Sequence, residues 1–247
     1  MSHVPVFQPF DPKKDVRVYV RNLPHWRQPG ATYFVTFRQD DSIPAKVLLA
    51  WHDDRQRWLR ANGLDSEESG STPQSWSSAY RQIPVQARRA FERQQARRLH
   101  DELDLCHGSC VLQHSTPRKV VADSLSFFHG DRLWLGDFVI MPNHTHVLLT
   151  PFDSWELEDL LQSIKKWTSR EIGLWRDKQS EIASLKEPQH KRSRFWQQEA
   201  YDRIVRDTDE LAAFRRYIAR NPEVAKIRKG EYTYHAAKWL DEHAPRP

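Results

Sequence analysis

The chain has 247 residues, enough for one good core carrying an insertion or for two small domains. Its net charge of +5 is a mild basic excess, which suits an acidic partner such as nucleic acid without requiring one. Two cysteines are too few for a disulfide framework, and no stretch reaches the ~18 apolar residues of a membrane helix, so a soluble cytoplasmic protein with no membrane partner is expected.

Residues 1–29 are rich in proline and charge and read as an extended arm. "GATYFVTFR" (30–38) alternates as a strand, with Tyr33, Val35 and Phe37 on one face and Thr32, Phe34 and Thr36 on the other. Residues 39–117 interrupt the pattern as a mostly helical insertion. In it, "AKVLLAWHDDRQRWLRANGL" is a helix stopped at Gly63, 65–80 is a Ser-rich acidic loop, and "PVQARRAFERQQARRLHDELD" is a second helix. That second helix carries Arg88, Arg89, Arg93, Arg97 and Arg98, a row that reads either as a solvated face or as a nucleic-acid contact. "CHGSC" (106–110) offers a Cys/His metal pair but lacks the second pair of a zinc site.

"PRKVVADSLSFFH" is a helix, and "DRLWLGDFVIMP" and "NHTHVLLTP" are two strands joined at Pro142-Asn143. "DSWELEDLLQSIKKWTSREIGLW" is the clearest helix, with Asp153 and Glu156 resembling a capping box and Leu157, Leu160, Leu161, Ile164 and Trp167 or Thr168 facing inward. A polar, basic connector follows. "FWQQEAYDRIVRD" is a strand with its lead-in, then a helix capped by Asp207 or Thr208 runs to about Arg220, and 229–247 reads as a tail. Without the insertion the order is β-α-β-β-α-β plus one helix. That is the α+β, ferredoxin-like pattern, an antiparallel sheet with helices on one face and a helix appended at the C-terminal end. The core is 118–228 together with strand 30–38, in a single domain.

"FVIMPNHTHVLLT" (138–150) places two imidazoles inside an otherwise apolar strand. Residues i and i+2 of a strand share a face, so His144 and His146 project side by side with Thr145 behind. The pair reads either as core histidines bonded to backbone or as two ligands of one divalent cation. In "FRRYIARNP", Tyr217 and Asn221 lie four apart and share a face if the helix continues that far. A tyrosine can attack phosphorus and form an ester, and an asparagine oxygen is a hard ligand that would complete a His-His-Asn site. The plainer alternatives are a packing tyrosine and a cap asparagine, and Pro222 disfavours helical geometry at Asn221.

"MPNHTHVLL" followed ~70 residues later by "YIARNP" resembles the HUH single-tyrosine transposases, most closely the REP-associated tyrosine transposase branch of these insertion-sequence-type enzymes. The resemblance covers "GATYFVTFR" and roughly 118–228. It implies that Tyr217 is the catalytic nucleophile and that His144, His146 and Asn221 hold Mg²⁺ or Mn²⁺. The implied reaction is cleavage and rejoining of single-stranded, hairpin-bearing DNA through a 5′-phosphotyrosine intermediate, in the prokaryotic cytoplasm or nucleoid. Thr145 departs from the aliphatic residue usual at its position, and the family pattern gives no function to 39–117. Tyr201 is the rival nucleophile, but Tyr217 alone has an asparagine four residues on. Lys165, Lys166, Arg203, Arg206 and Arg216 are the expected DNA-binding cations, with Trp167 or Trp196 as stacking surfaces. A domesticated hairpin-binding protein with an inactive site, a water-using phosphodiesterase and a bland ferredoxin-like domain are the competing readings. Monomer and homodimer stay open.

Overall fold

The computed structural model describes residues 5–20, 24–64, 73–182 and 194–245. Among the described residues, seven strands form two sheets. β1 (Arg17–Val20) and β2 (Pro24–Arg27) pair as a hairpin, where the sequence suggested only an extended arm. The main sheet has the order β6-β3-β5-β4-β7, built from β3 (Tyr33–Arg38), β4 (Leu133–Ile140), β5 (His144–Pro151), β6 (Tyr201–Ile204) and β7 (Thr233–His235). Every pairing in it is antiparallel. With α4 (Ser115–Phe127) between β3 and β4 and α5 (Leu157–Ile182) between β5 and β6, the run β6-β3-β5-β4 has the ferredoxin-like order. β7 comes from the segment expected to be a tail and extends the β4 edge.

Every residue of β3 and β5 is buried, because both sheet faces are covered. Tyr33, Val35, Phe37, Val147 and Leu149 pack against Val121 and Leu125 of α4 and Leu160 and Ile164 of α5. The alternate residues Phe34, Val139 and Leu148 pack against Leu211 and Ile218 of α6 (Thr208–Val224). The appended helix therefore lies on the face opposite α4 and α5. α5 begins at Leu157, so Asp153 and Glu156 precede it rather than forming a box within its first turn.

The insertion forms α1 (Ala45–Ala61), α2 (Pro73–Gln82) and α3 (Val85–Asp104). α1 ends ahead of Gly63, whose φ of 74° suits glycine. α2 occupies part of the stretch read as a Ser-rich loop; residues 65–72 lie outside the described residues, as do 183–193 of the polar connector. Leu59, Leu64, Tyr80 and Ile83 give the insertion a small core of its own.

Candidate active site

The site lies on the α6 face, at the end of the β4–β5 hairpin. That turn is tight: Met141 N–H bonds His144 O at 2.8 Å across Pro142-Asn143. Its carbonyls are satisfied from outside the hairpin, with Gln39 N–H donating to Asn143 O at 2.8 Å and Leu112 N–H to Pro142 O at 3.0 Å. His144 and His146 leave the turn on one strand face and are fully buried. Thr145 points to the opposite, apolar face, where its Oγ1 has no hydrogen-bond partner.

The two imidazoles converge, with Nε2 to Nε2 at 2.9 Å. Their far nitrogens are held from behind. Asn143 Oδ1 lies 2.7 Å from His144 Nδ1, and Asn143 donates its own Nδ2–H to His107 O at 2.9 Å. The asparagine oxygen can only accept, so His144 carries its proton on Nδ1 and its Nε2 is a bare lone pair. His146 Nδ1 shares a 2.7 Å hydrogen bond with Thr36 Oγ1 of β3, directly across the register from it. Burial pushes the His144 imidazole down to about 3, and burial together with the neighbouring imidazoles holds His146 well below its ordinary value. Both are therefore neutral at neutral pH, the state in which imidazole binds a metal.

α6 supplies the other residues. Asp207 caps it by accepting from Glu210 N at 2.8 Å. Pro222 does not end the helix, which runs on to Val224 and closes with Ala225 N–H on Asn221 O at 3.0 Å. The proline removes only a hydrogen bond to Ile218, and burial of both Asn221 and Pro222 keeps the last turn in place. Tyr217 and Asn221 thus share a face turned to the histidines. The Tyr217 hydroxyl lies 3.2 Å from His146 Nε2 and accepts from Asn221 Nδ2 at 3.3 Å. Asn221 Nδ2 also donates to Asp104 Oδ1 at 2.8 Å, and Asn221 Oδ1 is buried with no partner.

This donor set fits a small divalent cation. Two ligands at the 2.0–2.1 Å typical of magnesium and at right angles lie about 3 Å apart, the spacing the two Nε2 atoms already have. The orphaned Asn221 oxygen is the kind of acceptor a cation satisfies. Among the described residues no group of three His, Cys, Asp or Glu side chains gathers to hold a metal, so an amide oxygen is the third ligand available here. Cys106 and Cys110 are not such ligands. Burial pushes the Cys106 thiol up to about 12, and Cys110 Sγ donates to Cys106 O at 2.9 Å within a tight turn.

Burial, reinforced by the charges of Asp104 and Asp101, raises the Tyr217 phenol far above its ordinary value, so it is protonated at rest. Tyr201 stands apart. Its ring meets His100 and Phe34 edge-on at 5.4 and 6.4 Å, and burial raises it to about 12. Two groups escaped the sequence reading because they come from α3 of the insertion. His100 stacks on Tyr217 with centroids 5.0 Å apart, its Nε2 buried without a partner, and burial lowers it to about 4. Asp104, raised to about 6 by burial against the opposing Asn221 hydrogen bond, is the other. No spacing signal links either to the two motifs.

The expected DNA-binding cations do not form one patch. Lys166 is exposed on α5, on the far side of the sheet, and Lys165 beside it donates to Gln197 O and Gln198 O at 3.1 and 3.2 Å. Burial lowers the Lys165 amine to about 8. Arg203 is held by Glu210 at 2.6 Å, whereas Arg206 and Arg216 are exposed on the α6 side. Trp196 is core, 2% exposed and bonded through Nε1 to Thr168 Oγ1, while Trp167 is exposed. From the arginine row of α3, Arg89, Arg93 and Arg97 are exposed, and Arg98 is paired with Asp54 at 2.9 Å.

No helix among the described residues is long and apolar enough to cross a membrane. No curated protein matches the chain. A solved structure of a REP-associated tyrosine transposase bound to a REP hairpin resembles it at 13% identity and a TM-score of 0.40, over 83% of this chain and 73% of the other, a likeness too loose to transfer residue roles. The family model described as "Transposase IS200 like" matches residues 129–221, a span that contains β4, β5, α5, β6 and the tyrosine helix through Asn221. Over that segment the chain is similar to the IS200-like transposases.

Proposed function

We propose that this protein is a transposase that cuts and rejoins single-stranded DNA by transesterification on Tyr217, at a cation site formed by His144, His146 and Asn221. The observation that carries the reading is the Tyr217 hydroxyl, 3.2 Å from His146 Nε2 and 3.3 Å from Asn221 Nδ2, so that nucleophile and ligand donors share one pocket. Tyr217 Oη attacks the scissile phosphorus and the bond to the 3′ oxygen breaks. The phenolic proton is released to solvent, and the departing 3′ oxygen takes one up. The strand is left esterified to Tyr217 through its 5′ phosphate, with a free 3′-OH on the other fragment. A second 3′-OH reverses the step on another strand, so one phosphoester replaces another and no ATP is consumed. A bound Mg²⁺ or Mn²⁺ would supply charge stabilisation to the phosphate oxygens. His144 and His146 stay neutral, their far nitrogens fixed by Asn143 and Thr36. His100 braces the tyrosine ring. A hairpin-bearing single strand is the expected substrate, with Arg206, Arg216 and the exposed arginines of α3 as phosphate contacts.

The test is covalent capture. Labelled single-stranded oligonucleotides with hairpins are mixed with the protein and Mn²⁺ or Mg²⁺, then run on a denaturing gel. A slow adduct, lost in Tyr217→Phe and with chelator, is expected. Binding with no adduct would instead identify a hairpin binder with an idle site, and cleavage with no adduct a water-using nuclease.

A further inference from the structure

The inserted segment is seated against the catalytic residues, although it lies outside the span matched by the family model. From α3, His100 stacks on Tyr217 and meets His146 edge-on at 5.3 Å. One helical turn on, Asp104 accepts from Asn221 Nδ2 at 2.8 Å. In the turn after α3, His107 O accepts from Asn143 Nδ2, and Asn143 Oδ1 in turn holds His144 Nδ1. Gly108, with φ 90°, lets that turn close on the strand end: a Cβ there would come within 2.4 Å of Asp41 O.

We infer that Asp104 is a positioning residue of the site, holding the Asn221 amide with its nitrogen outward and its oxygen toward the histidines. The inference rests on the cation reading above. An asparagine amide has two faces of nearly equal shape and opposite polarity. A carboxylate can only accept, so Asp104 selects the orientation in which Nδ2 faces it. Asn221 Oδ1 is then left buried and unpartnered, a costly arrangement that an amide flip relieves once the nitrogen keeps only its 3.3 Å contact to the Tyr217 hydroxyl, a group that can donate as well as accept. The flipped amide would present N–H groups where a ligand oxygen is needed. Groups that orient metal ligands from behind change metal affinity by 10–100-fold when removed. Asp104 supports Asn221 directly, and the turn with His107 supports His144 through Asn143, so the insertion sets two of the three ligands from behind.

The test needs no catalysis. The full-length chain is titrated with Mn²⁺ and the loss of the free-ion electron paramagnetic resonance signal is followed. The variants are Asp104→Ala, Asp104→Asn, His146→Ala and, at an exposed position of the same helix, Gln94→Ala. Asp104→Ala is expected to bind Mn²⁺ about 10–100-fold more weakly than wild type. Asp104→Asn, which keeps an acceptor oxygen for Nδ2, should recover most of that loss, and Gln94→Ala should bind as wild type does. Asp104→Leu, similar in size, carries the test if the alanine variant does not fold. Wild-type affinity in Asp104→Ala or Asp104→Leu, with binding abolished by His146→Ala, would overturn the role of Asp104 and leave the cation site standing. Wild-type protein binding no more Mn²⁺ than His146→Ala would overturn both.

Discussion

The two faces of the main sheet share the same strands and are built on different principles. Against α4 and α5, side chains such as Val35, Phe37, Val147 and Leu149 close a continuous apolar layer. Against α6 and α3, the layer of Phe34, Val139 and Leu148 also encloses polar groups, Thr36, Asp137, His144 and His146 from the strands and Arg215 and Asn221 from α6. The apolar face is held by packing, which degrades gradually as atoms are removed. The polar groups of the α6 face are held by specific partners, and removing one strands another in a dry environment. The contrast shows how one strand can be scaffold and site at once: Val147 is a core residue because His146 and Leu148 point the other way.

The difference predicts a ranking of mutational effects. The largest loss of stability is expected at the polar groups of the α6 face. Arg215 is fully buried between Asp137, at 2.9 Å, and Asp241, at 2.9 Å. Asp137→Ala leaves buried Arg215 with the partly exposed Asp241 as its carboxylate partner and strips Ala237 N–H of its acceptor, and should cost about 3–5 kcal/mol in denaturant unfolding. On the apolar face, Leu149→Ala makes a cavity without stranding a polar group and should cost about 3 kcal/mol. Losses in the reverse order would break the comparison.

At the edge of the apolar face, His25 lies between Asp202 at 2.6 Å and Glu199 at 2.8 Å. Burial alone would depress the imidazole, but the two carboxylates outweigh it and raise it from 6.5 to about 9. Its stabilising contribution is complete below pH 6.5 and fades as pH rises through about 9. The unfolding temperature should therefore fall between pH 7 and pH 10, and His25→Gln should remove that slope. The smallest effect is expected at Thr145, a polar side chain on the apolar face with its hydroxyl buried and unbonded. Thr145→Val keeps the shape and should be neutral or stabilising by about 1 kcal/mol, read as a small rise in melting temperature.

What the sequence made legible was local. Alternation marked β3 and β5, helical spacing marked α5 and α6, and the i, i+2 and i, i+4 rules paired His144 with His146 and Tyr217 with Asn221. What it concealed depended on tertiary contact. Strands of three and four residues, as in β1, β2 and β7, are too short to show a period. Pro222 argued against a helical Asn221, and burial of that turn overrode the local preference. Thr36, His100 and Asp104 reach the site from distant parts of the chain, so no spacing in the sequence could have grouped them with the two motifs. Arg215 sits in the same run of basic residues as Arg216, yet one is fully buried and the other exposed.

The central claim is that Tyr217 is the residue that becomes joined to DNA. Its most direct test is to react the protein with a hairpin-bearing single strand and Mn²⁺, digest both polymers and locate the remaining nucleotide by mass spectrometry. A nucleotide mass on the peptide containing Tyr217 is the predicted result. The same mass on Tyr201, or efficient strand cleavage with no modified peptide, would contradict it.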